Sequence, residues 1–259
     1  MTGVWTAIVE AGGLPVLVLV SFMFAAFVQR VLGFGFALVV LGMLPAAFDA
    51  AGTILPGVRL AHLTSSLAAV LPLVVMVLQF HQQIDRSALI VTILGAAIGL
   101  PLGLLVFEIM TPQSLSRLTG AALLLLVWDV WRRKPEEIAA APLSLPWGAA
   151  AGMAAGLLHG SIGVPGPPVV IYASRQGWSP NAFRGFIAAS MILISLSKVG
   201  LFAVRGHFDA EVLHWTALAI PGVVAGYLLG TVVADRVPYL WFRRLVLGVV
   251  AFSAVQLLW

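Results

Sequence analysis

The chain has 259 residues, of which 61% are hydrophobic and only 9% are charged, whereas a soluble domain carries about 25% charged residues. This composition excludes a water-soluble fold for most of the chain and makes lipid the solvent of much of its surface. The formal net charge of +4 is spread over loops and segment ends, which favours orientation in a membrane over nucleic-acid binding, and the absence of cysteine excludes disulfides, thiolate catalysis and cysteine-ligated metals.

Ten apolar segments follow one another along the chain and predict membrane-embedded helices, since a spanning helix needs about 20 apolar residues. They cover residues 14–29, 33–48, 56–80, 87–107, 114–131, 147–159, 163–174, 183–204, 212–234 and 239–258. The first Lys or Arg is Arg30, so the basic region of a signal peptide is missing and we expect the first segment to be retained as a span.

A polar stretch at residues 132–145 divides the chain into an N-terminal transmembrane region, 1–131, and a C-terminal one, 146–259. Both regions contain an interrupted apolar stretch, then an arginine near the start of a long span, then a span with glycine at every fourth position. The interrupted stretches of the two regions correspond in sequence: they are AAFVQRVLGFGFALVV from Ala25 and AAGLLHGSIGVPGPPVV from Ala154. The sequence therefore predicts an internal repeat with five segments in each half.

The odd number of segments in each half predicts that the second repeat is inverted relative to the first. If the linker at 132–145 is cytoplasmic, ten of the 14 Lys and Arg residues fall on the cytoplasmic side, as the positive-inside rule requires. We therefore predict an all-α, multi-pass protein of the cell inner membrane, with short, Gly/Pro-broken helices meeting near the midplane. The alternative to ten segments is eight spans, with the short segments entering and leaving on one side.

Two interruptions rich in glycine or proline, residues 32–36 (LGFGF) and 160–168 (GSIGVPGPP), are the most informative stretches. Backbone without helical hydrogen bonds is tolerated at membrane depth only where it lines protein or water. Broken segments at corresponding places in two halves indicate a transporter binding site, and a helix that restarts there directs its N–H groups and positive dipole end towards an anion. The alternative is that these glycines only allow helices to pack closely.

Three arginines are candidates for anion recognition. Arg30 adjoins the first interruption, where a charge is costly, although its side chain could instead extend to a nearby surface. Arg59 and Arg184 occupy matching positions near the starts of long spans. They could form a two-sided clamp or two gates, because guanidinium binds oxyanions in a bidentate manner, or they could lie at headgroup level. We expect the side chain of Lys198 to extend towards the far side of the membrane, and the alternative is contact with the substrate.

Polar side chains near these positions are further candidates. His159, at the repeat position of Gln29, and His62 could relay a proton near neutral pH, or each could be a hydrogen-bonded neighbour in the core. Ser65, Ser66 and Ser190 could donate to a substrate oxygen, although serines in membranes usually bond to their own helix. The acidic residues lie near segment ends and the histidines lack carboxylates at ligand spacing, so the sequence predicts neither a carboxylate-based pump nor a metal site.

At the two interruptions the chain resembles the sulfite exporter TauE/SafE family of membrane proteins, and the resemblance covers nearly the whole chain. Residues 29–35 are similar to the family's Gln-x-x-x-Gly-Phe-Gly segment, and residues 160–167 to its Gly-x-x-Gly-x-Gly-Gly-Pro segment. The family commonly has a small residue in place of Arg30 and glycine in place of Pro165. The resemblance implies export of sulfite or of C2 organosulfonates such as sulfoacetate.

Together these observations predict a secondary transporter that exports a small sulfur-containing anion by alternating access. The candidate coupling ion is a proton, no cofactor is expected, and the choice between monomer and homodimer is left open. The predicted substrate-binding residues flank the interruptions or lie on the long spans: Gln29, Arg30, Gly33, Phe34, Gly35, Arg59, His62, Ser65, His159, Gly163, Pro165, Gly166, Arg184 and Ser190.

Three other functions are the alternatives. One is a passive anion channel, and another is a membrane subunit that does not transport by itself. The third is an intramembrane serine hydrolase in which His159 would act as the base for Ser161. The hydrolase is disfavoured because neighbouring residues of a helix do not face each other.

Overall fold

The computed structural model describes residues 12–132 and 142–233, together with residues 251, 255 and 258. Every regular element in these ranges is helical, which confirms the predicted all-α class for them. In chain order the helices are α1 (Leu14–Leu32), α2 (Phe36–Met43), α3 (Pro45–Ala50), α4 (Gly57–Ala68), α5 (Val70–Phe80), α6 (Arg86–Ile109), α7 (Pro112–Arg132), α8 (Leu145–Ile162), α9 (Gly166–Ser174), α10 (Pro180–Val204) and α11 (Ala210–Val233).

Five helical stretches in the described ranges are long and apolar enough to cross a membrane. They are Leu14–Val31, Gly57–Gln83, Arg86–Ile109, Asn181–Val204 and Ala210–Val232. Large aliphatic side chains such as Leu94, Ile98 and Leu228 are exposed on them. A soluble protein rarely exposes such continuous apolar surface, so lipid is the solvent that these side chains require.

Shorter apolar helices accompany the spans. Helices α2, α3 and α9 have 8, 6 and 9 residues. At about 1.5 Å per residue none of them can cross a hydrocarbon layer of about 30 Å. Most of the segment predicted at 239–258 and most of the linker at 132–145 lie outside the described residues.

Proline divides one of the predicted segments. The segment predicted at 33–48 forms two helices, α2 and α3, which are separated at Leu44. Pro45 occupies the first turn of α3, where its missing N–H group has no cost because that group has no partner inside a helix. The long segment predicted at 56–80 contains α4 and α5, with Ala69 between them.

The chain folds into two compact units. The first contains the described residues of 1–69, 111–128 and 206–259. Its most extensive contact joins α11 to α1, and α4 packs on α2, α3 and α11. A Cβ atom at Gly222 or Gly226 of α11 would overlap the carbonyl group of Leu19 or Met23 of α1. Small residues therefore let the two backbones touch, as membrane helices commonly require.

The second unit has an equivalent glycine interface. It contains the described residues of 70–110 and 129–205. Helix α6 packs along α8, and α10 packs on α5, α6, α8 and α9. A Cβ atom at Gly99 of α6 would overlap the carbonyl group of Met153 of α8, and one at Gly156 of α8 would lie 2.5 Å from the carbonyl oxygen of Ala96 of α6. Glycines on both helices thus bring the two backbones into contact.

Each unit combines segments from both halves of the sequence. In the first unit α11 of the C-terminal half packs on α1 of the N-terminal half, and in the second α6 of the N-terminal half packs on α8 of the C-terminal half. The two glycine-spaced spans, α6 and α11, therefore have the same packing role in their units. The division into repeats at 1–131 and 146–259 stays a prediction, as does the inversion of the second repeat.

Candidate functional site

The first interruption, residues 33–35, joins α1 to α2 in the first unit. Gly33 and Gly35 have φ angles of 86° and 106°, in the left-handed region that glycine enters without a steric cost. Gly33 ends α1 by donating its N–H to the carbonyl oxygen of Gln29 over 2.8 Å, and Gly35 is the N-cap of α2. Since the first N–H groups of a helix have no partner within it, the start of α2 can receive an anion.

The second interruption joins α8 to α9 in the second unit and is shorter than the predicted 160–168, because residues 160–162 belong to α8 and residues 166–168 to α9. It is also built differently from the first. Gly163 ends α8 with a φ angle of 79°. Pro165 is the N-cap of α9, and Pro167 and Pro168 lie in its first turn. Proline has no N–H group, so the first turn of α9 offers an anion fewer backbone donors than that of α2. Side chains must therefore provide more of any anion recognition in the second unit.

Gln29 and Arg30 lie in the last turn of α1, directly before the first interruption. Gln29 is buried, and its Oε1 atom has no hydrogen-bond partner among the described residues. Arg30 is half-buried, and its guanidinium carbon lies 5.7 Å from the centroid of the Tyr227 ring. A Cβ atom at Gly230 would lie 2.8 Å from Cβ of Arg30, so this glycine leaves space for the arginine stem. The two side chains place an acceptor and a cation beside the interruption.

The predicted residues of α4 belong to the same unit. Arg59 is half-buried in the first turn, and His62 is buried one turn later. The hydroxyl of Ser65 donates to the carbonyl oxygen of His62 over 3.0 Å, and the hydroxyl of Ser66 donates to the same oxygen over 2.6 Å. Ser65 therefore offers a substrate an acceptor rather than a donor in this structure, which agrees with the general behaviour of serines in membrane helices.

Arg184 and Ser190 lie on α10 in the second unit. Arg184 is exposed and is the fifth residue of α10. The helix begins after Ser179, whose Oγ accepts the N–H of Ala182 over 3.2 Å. Ser190 is fully buried, and its Oγ atom has no hydrogen-bond partner in the described ranges. Arg59 and Arg184 belong to different units, and the clamp formed by these two arginines stays a prediction.

A buried polar cluster lies close to the second interruption. His159 of α8, which is 4% exposed, precedes Gly163 by one turn, and its Nε2 atom lies 3.4 Å from Oγ of Ser195 on α10. Lys198 is fully buried one turn further along α10 and interacts electrostatically with His159. Its Nζ atom lies 5.2 Å from the centroid of the Phe202 ring. The side chains of a lysine, a histidine and a serine thus share one buried region of the second unit.

The burial of Lys198 contradicts the expectation that its side chain extends towards the far side of the membrane. None of its surface is exposed, and the same is nearly true of Ser195 and Phe202, whereas Leu196 and Ser197 between them are exposed. Lys198 therefore lies on the face of α10 that other helices cover. Neither Lys198 nor Ser195 was among the predicted binding residues, although their spacing of about one turn from each other is a signal that could have paired them.

The serine and histidine of the hydrolase alternative do not contact each other through their side chains. The hydroxyl of Ser161 donates to the carbonyl oxygen of Leu157 over 2.7 Å, within its own helix, while Nε2 of His159 lies near Ser195. Between residues 12 and 132 and between 142 and 233, no three His, Asp or Glu side chains gather in a way that could hold a metal ion. The contacts give no support to catalysis.

Similarity to known proteins decides the family. A family model described as "Sulfite exporter TauE/SafE" matches residues 17–257. The chain belongs to the TauE/SafE family. A protein of Cupriavidus necator named "Probable sulfite/organosulfonate exporter TauE" is 29% identical to it over 210 residues, which cover 78% of this chain and 77% of that protein. No solved structure matches the chain.

Membership in the TauE/SafE family confirms the resemblance seen at the two interruptions, both of which lie within the matched residues. Together with the long apolar helices, it makes this chain a multi-pass membrane protein of a transporter family. The family description and the name of the relative both support an anion exporter. The roles of individual residues in this TauE/SafE protein rest on the contacts described above.

Proposed function

We propose that the protein exports sulfite or a small organosulfonate, such as a C2 sulfonate, across the inner membrane by alternating access. The observation that carries the proposal is the presence of a cation close to each helix interruption. Arg30 directly precedes the first, and Lys198, together with His159, lies near the second. The family description and the name of the Cupriavidus necator relative support a sulfur oxyanion as the substrate.

Charge balance favours an anion. A basic side chain in the hydrocarbon region costs at least ~2.5–3.5 kcal/mol, and an anion bound beside it offsets that cost. Helices α1 and α10 contain no Asp or Glu, so neither supplies a counter-ion from its own sequence. The oxygens of sulfite and sulfonates accept hydrogen bonds from guanidinium, ammonium and hydroxyl donors alike, and these are the donor types found near the two interruptions.

The interruptions also suit a change of conformation. Export requires the binding groups to open to the cytoplasm, bind the anion and then open to the other side. Glycines at positive φ can change their dihedral angles without a side chain that obstructs the change. Arg59 and Arg184 are the proposed gates, and a proton carried by His62 or His159 is the proposed coupling ion.

Transport by the purified protein in proteoliposomes tests the proposal. Liposomes loaded with unlabelled sulfite or sulfoacetate should accumulate the matching radiolabelled anion by counterflow, while sulfate, acetate and chloride should compete poorly. A rate that saturates with external anion supports a transporter. Flux that rises without saturation would identify a channel instead, and no flux of any tested anion would identify a subunit that does not transport alone.

A further inference from the structure

The buried cluster of Lys198, Ser195 and His159 brings together polar side chains of two mostly apolar helices, α8 and α10. Helix α10 is apolar for most of its length, yet it carries a lysine whose side chain is completely enclosed by protein. Burying a charge is expensive unless something compensates it. A lysine that lies on a membrane helix and is enclosed by protein is therefore a functional candidate. Its polar neighbours are His159, with which it interacts electrostatically, and Ser195, one turn away on α10.

We propose that Lys198, Ser195 and His159 form an anion-binding site within the second unit, and that this site takes the –SO₃ group of sulfite or of an organosulfonate. The inference rests on the proposed function, because it names the side chains that hold the exported anion. The ammonium group of Lys198 balances the charge of the anion, and the hydroxyl of Ser195 donates to one of its oxygens.

The geometry of Ser195 fits this role. Its Oγ atom lies 3.4 Å from Nε2 of His159, which is longer than the usual range of about 2.5–3.0 Å for a hydroxyl donor. The hydroxyl is thus only weakly held by the imidazole and can turn towards an anion. In contrast, Ser197, on the exposed side of the same helix, donates to the carbonyl oxygen of Leu193 over 2.9 Å.

The position of the cluster links it to the second interruption. His159 precedes Gly163 by a single helical turn, so any change in the dihedral angles of Gly163 moves α9 relative to the histidine. Pro167 and Pro168 remove N–H donors from the first turn of α9. A side-chain cation beside this interruption compensates for those missing donors, whereas the first turn of α2 contains no proline.

Aromatic rings form an apolar wall next to the cation. The Phe202 ring lies 5.2 Å from Nζ of Lys198 and 5.3 Å from the ring of Phe107, measured between centroids. Both phenylalanines are buried. A short carbon chain attached to the –SO₃ group would contact such a wall, which fits a C2 organosulfonate.

Binding of sulfite and sulfoacetate to the purified full-length chain, measured by isothermal titration calorimetry in detergent, tests the inference. Lys198→Met should raise the Kd roughly 10- to 100-fold, because a hydrogen bond from a charged donor is lost together with the charge. Ser195→Ala should raise it roughly 3- to 10-fold and leaves Lys198 in place, so it keeps the test valid if Lys198→Met does not fold. Ser197→Ala is the matched control and should bind as the wild type does.

The outcomes separate this inference from the proposed function. A wild-type Kd in both Lys198→Met and Ser195→Ala would overturn the assignment of the site. Counterflow by the wild type would still support the proposed export function in that case. Acetate binding as tightly as sulfoacetate would overturn the assignment of the –SO₃ group. If the wild type shows no binding and no counterflow, the proposed function is overturned, and this site with it.

Discussion

Gly156 of α8 packs against Ala96 of α6 so closely that a Cβ atom at Gly156 would lie 2.5 Å from the Ala96 carbonyl oxygen. Lipid chains are as apolar as the helices, so the hydrophobic effect does not hold two membrane helices together. Van der Waals contact between the backbones must do so, and glycine permits it. The contact of Gly226 with Met23 repeats this arrangement in the first unit.

Replacement of Gly156 by alanine is expected to lower the stability of the second unit, because backbone atoms of α6 must move to admit the methyl group. Over-packing of a close interface costs about 1–3 kcal/mol, which should appear as a lower unfolding temperature in detergent, measured by scanning fluorimetry. Gly200→Ala is the matched control, since Gly200 is also helical but a Cβ atom there meets nothing within 4 Å. Equal unfolding temperatures for the two variants would contradict the prediction.

Replacement of Gly33 by alanine tests the first interruption. A Cβ atom at Gly33 meets nothing within 4 Å, so the effect comes from the φ angle of 86°, which costs an L-residue about 1–2 kcal/mol. We expect lower stability and slower counterflow, and partial recovery in Gly33→Asn, because asparagine tolerates this conformation better.

Gly177 provides the control for this backbone effect. It has a φ angle of 67°, open space at its Cβ position and a place between α9 and α10, away from both interruptions. Gly177→Ala should lose a similar amount of stability but keep wild-type counterflow per folded protein. Equal counterflow in Gly33→Ala and Gly177→Ala would mean that the first interruption acts only as a structural turn.

The interruptions could be predicted from sequence because they depend on local chemistry. Glycine and proline act on their own backbone, so the sequence correctly predicts helix breaks at residues 33–35 and at Gly163. The membrane class follows from composition. Residues such as Gln29 and His159 are candidates for substrate binding because they lie next to the breaks. Whether they bind a substrate remains a prediction.

The environment of Lys198 could not be predicted in the same way. Helix α10 is apolar on most sides, so no hydrophobic stripe marks the face that other helices cover. That face is decided by the packing of α10 on α5, α6, α8 and α9. The contact of Arg30 with Tyr227 was missed for the same reason, because it depends on α11 packing on α1 across a long separation in sequence.

Replacement of Arg30 by glutamine should weaken anion binding at the first interruption. The change removes a charge but keeps a polar side chain, and loss of a charge-assisted hydrogen bond should raise the Kd for sulfite by about tenfold or more. Arg30→Lys should recover only part of the affinity, because lysine keeps the charge but lacks the planar guanidinium fork. Titration calorimetry and counterflow with the same preparations measure both effects.

Arg205 is the matched control for Arg30. It is exposed after the end of α10 and forms a bidentate pair with Glu108, over 3.0 Å from Nε and 2.5 Å from an Nη atom. The hydrogen bond and charge of Glu108 raise the pKa of Arg205, so Arg205 stays protonated at every pH of a transport assay. Arg205→Gln should bind and transport as the wild type does. An equal loss in both glutamine variants would mean that the net positive charge of the protein, not the position of Arg30, attracts the anion.

Glu211 of α11 fixes the loop between α3 and α4. Its carboxylate oxygens accept the N–H groups of Ile54 and Leu55 over 3.0 and 2.9 Å. At the end of the same loop, Asp49 accepts the N–H of Gly57 over 2.6 Å. Hydrogen bonds to a charged group contribute ~1.5–3 kcal/mol each when protected from water. The contribution of the Glu211 hydrogen bonds lies at the lower end of this range because Ile54 is exposed.

Replacement of Glu211 by alanine should therefore loosen this loop locally without unfolding the first unit. The expected result is amide hydrogen exchange about tenfold faster at residues 53–55, measured by mass spectrometry, since about 1.4 kcal/mol corresponds to a factor of ten. Asp209→Ala is the control, because Asp209 caps the N–H of Val212 over 2.9 Å at the start of the same helix. It should speed exchange at the beginning of α11 and leave the loop protected. If Asp209→Ala exposed the loop as much as Glu211→Ala does, the helix end as a whole, rather than the Glu211 carboxylate, would hold the loop in place.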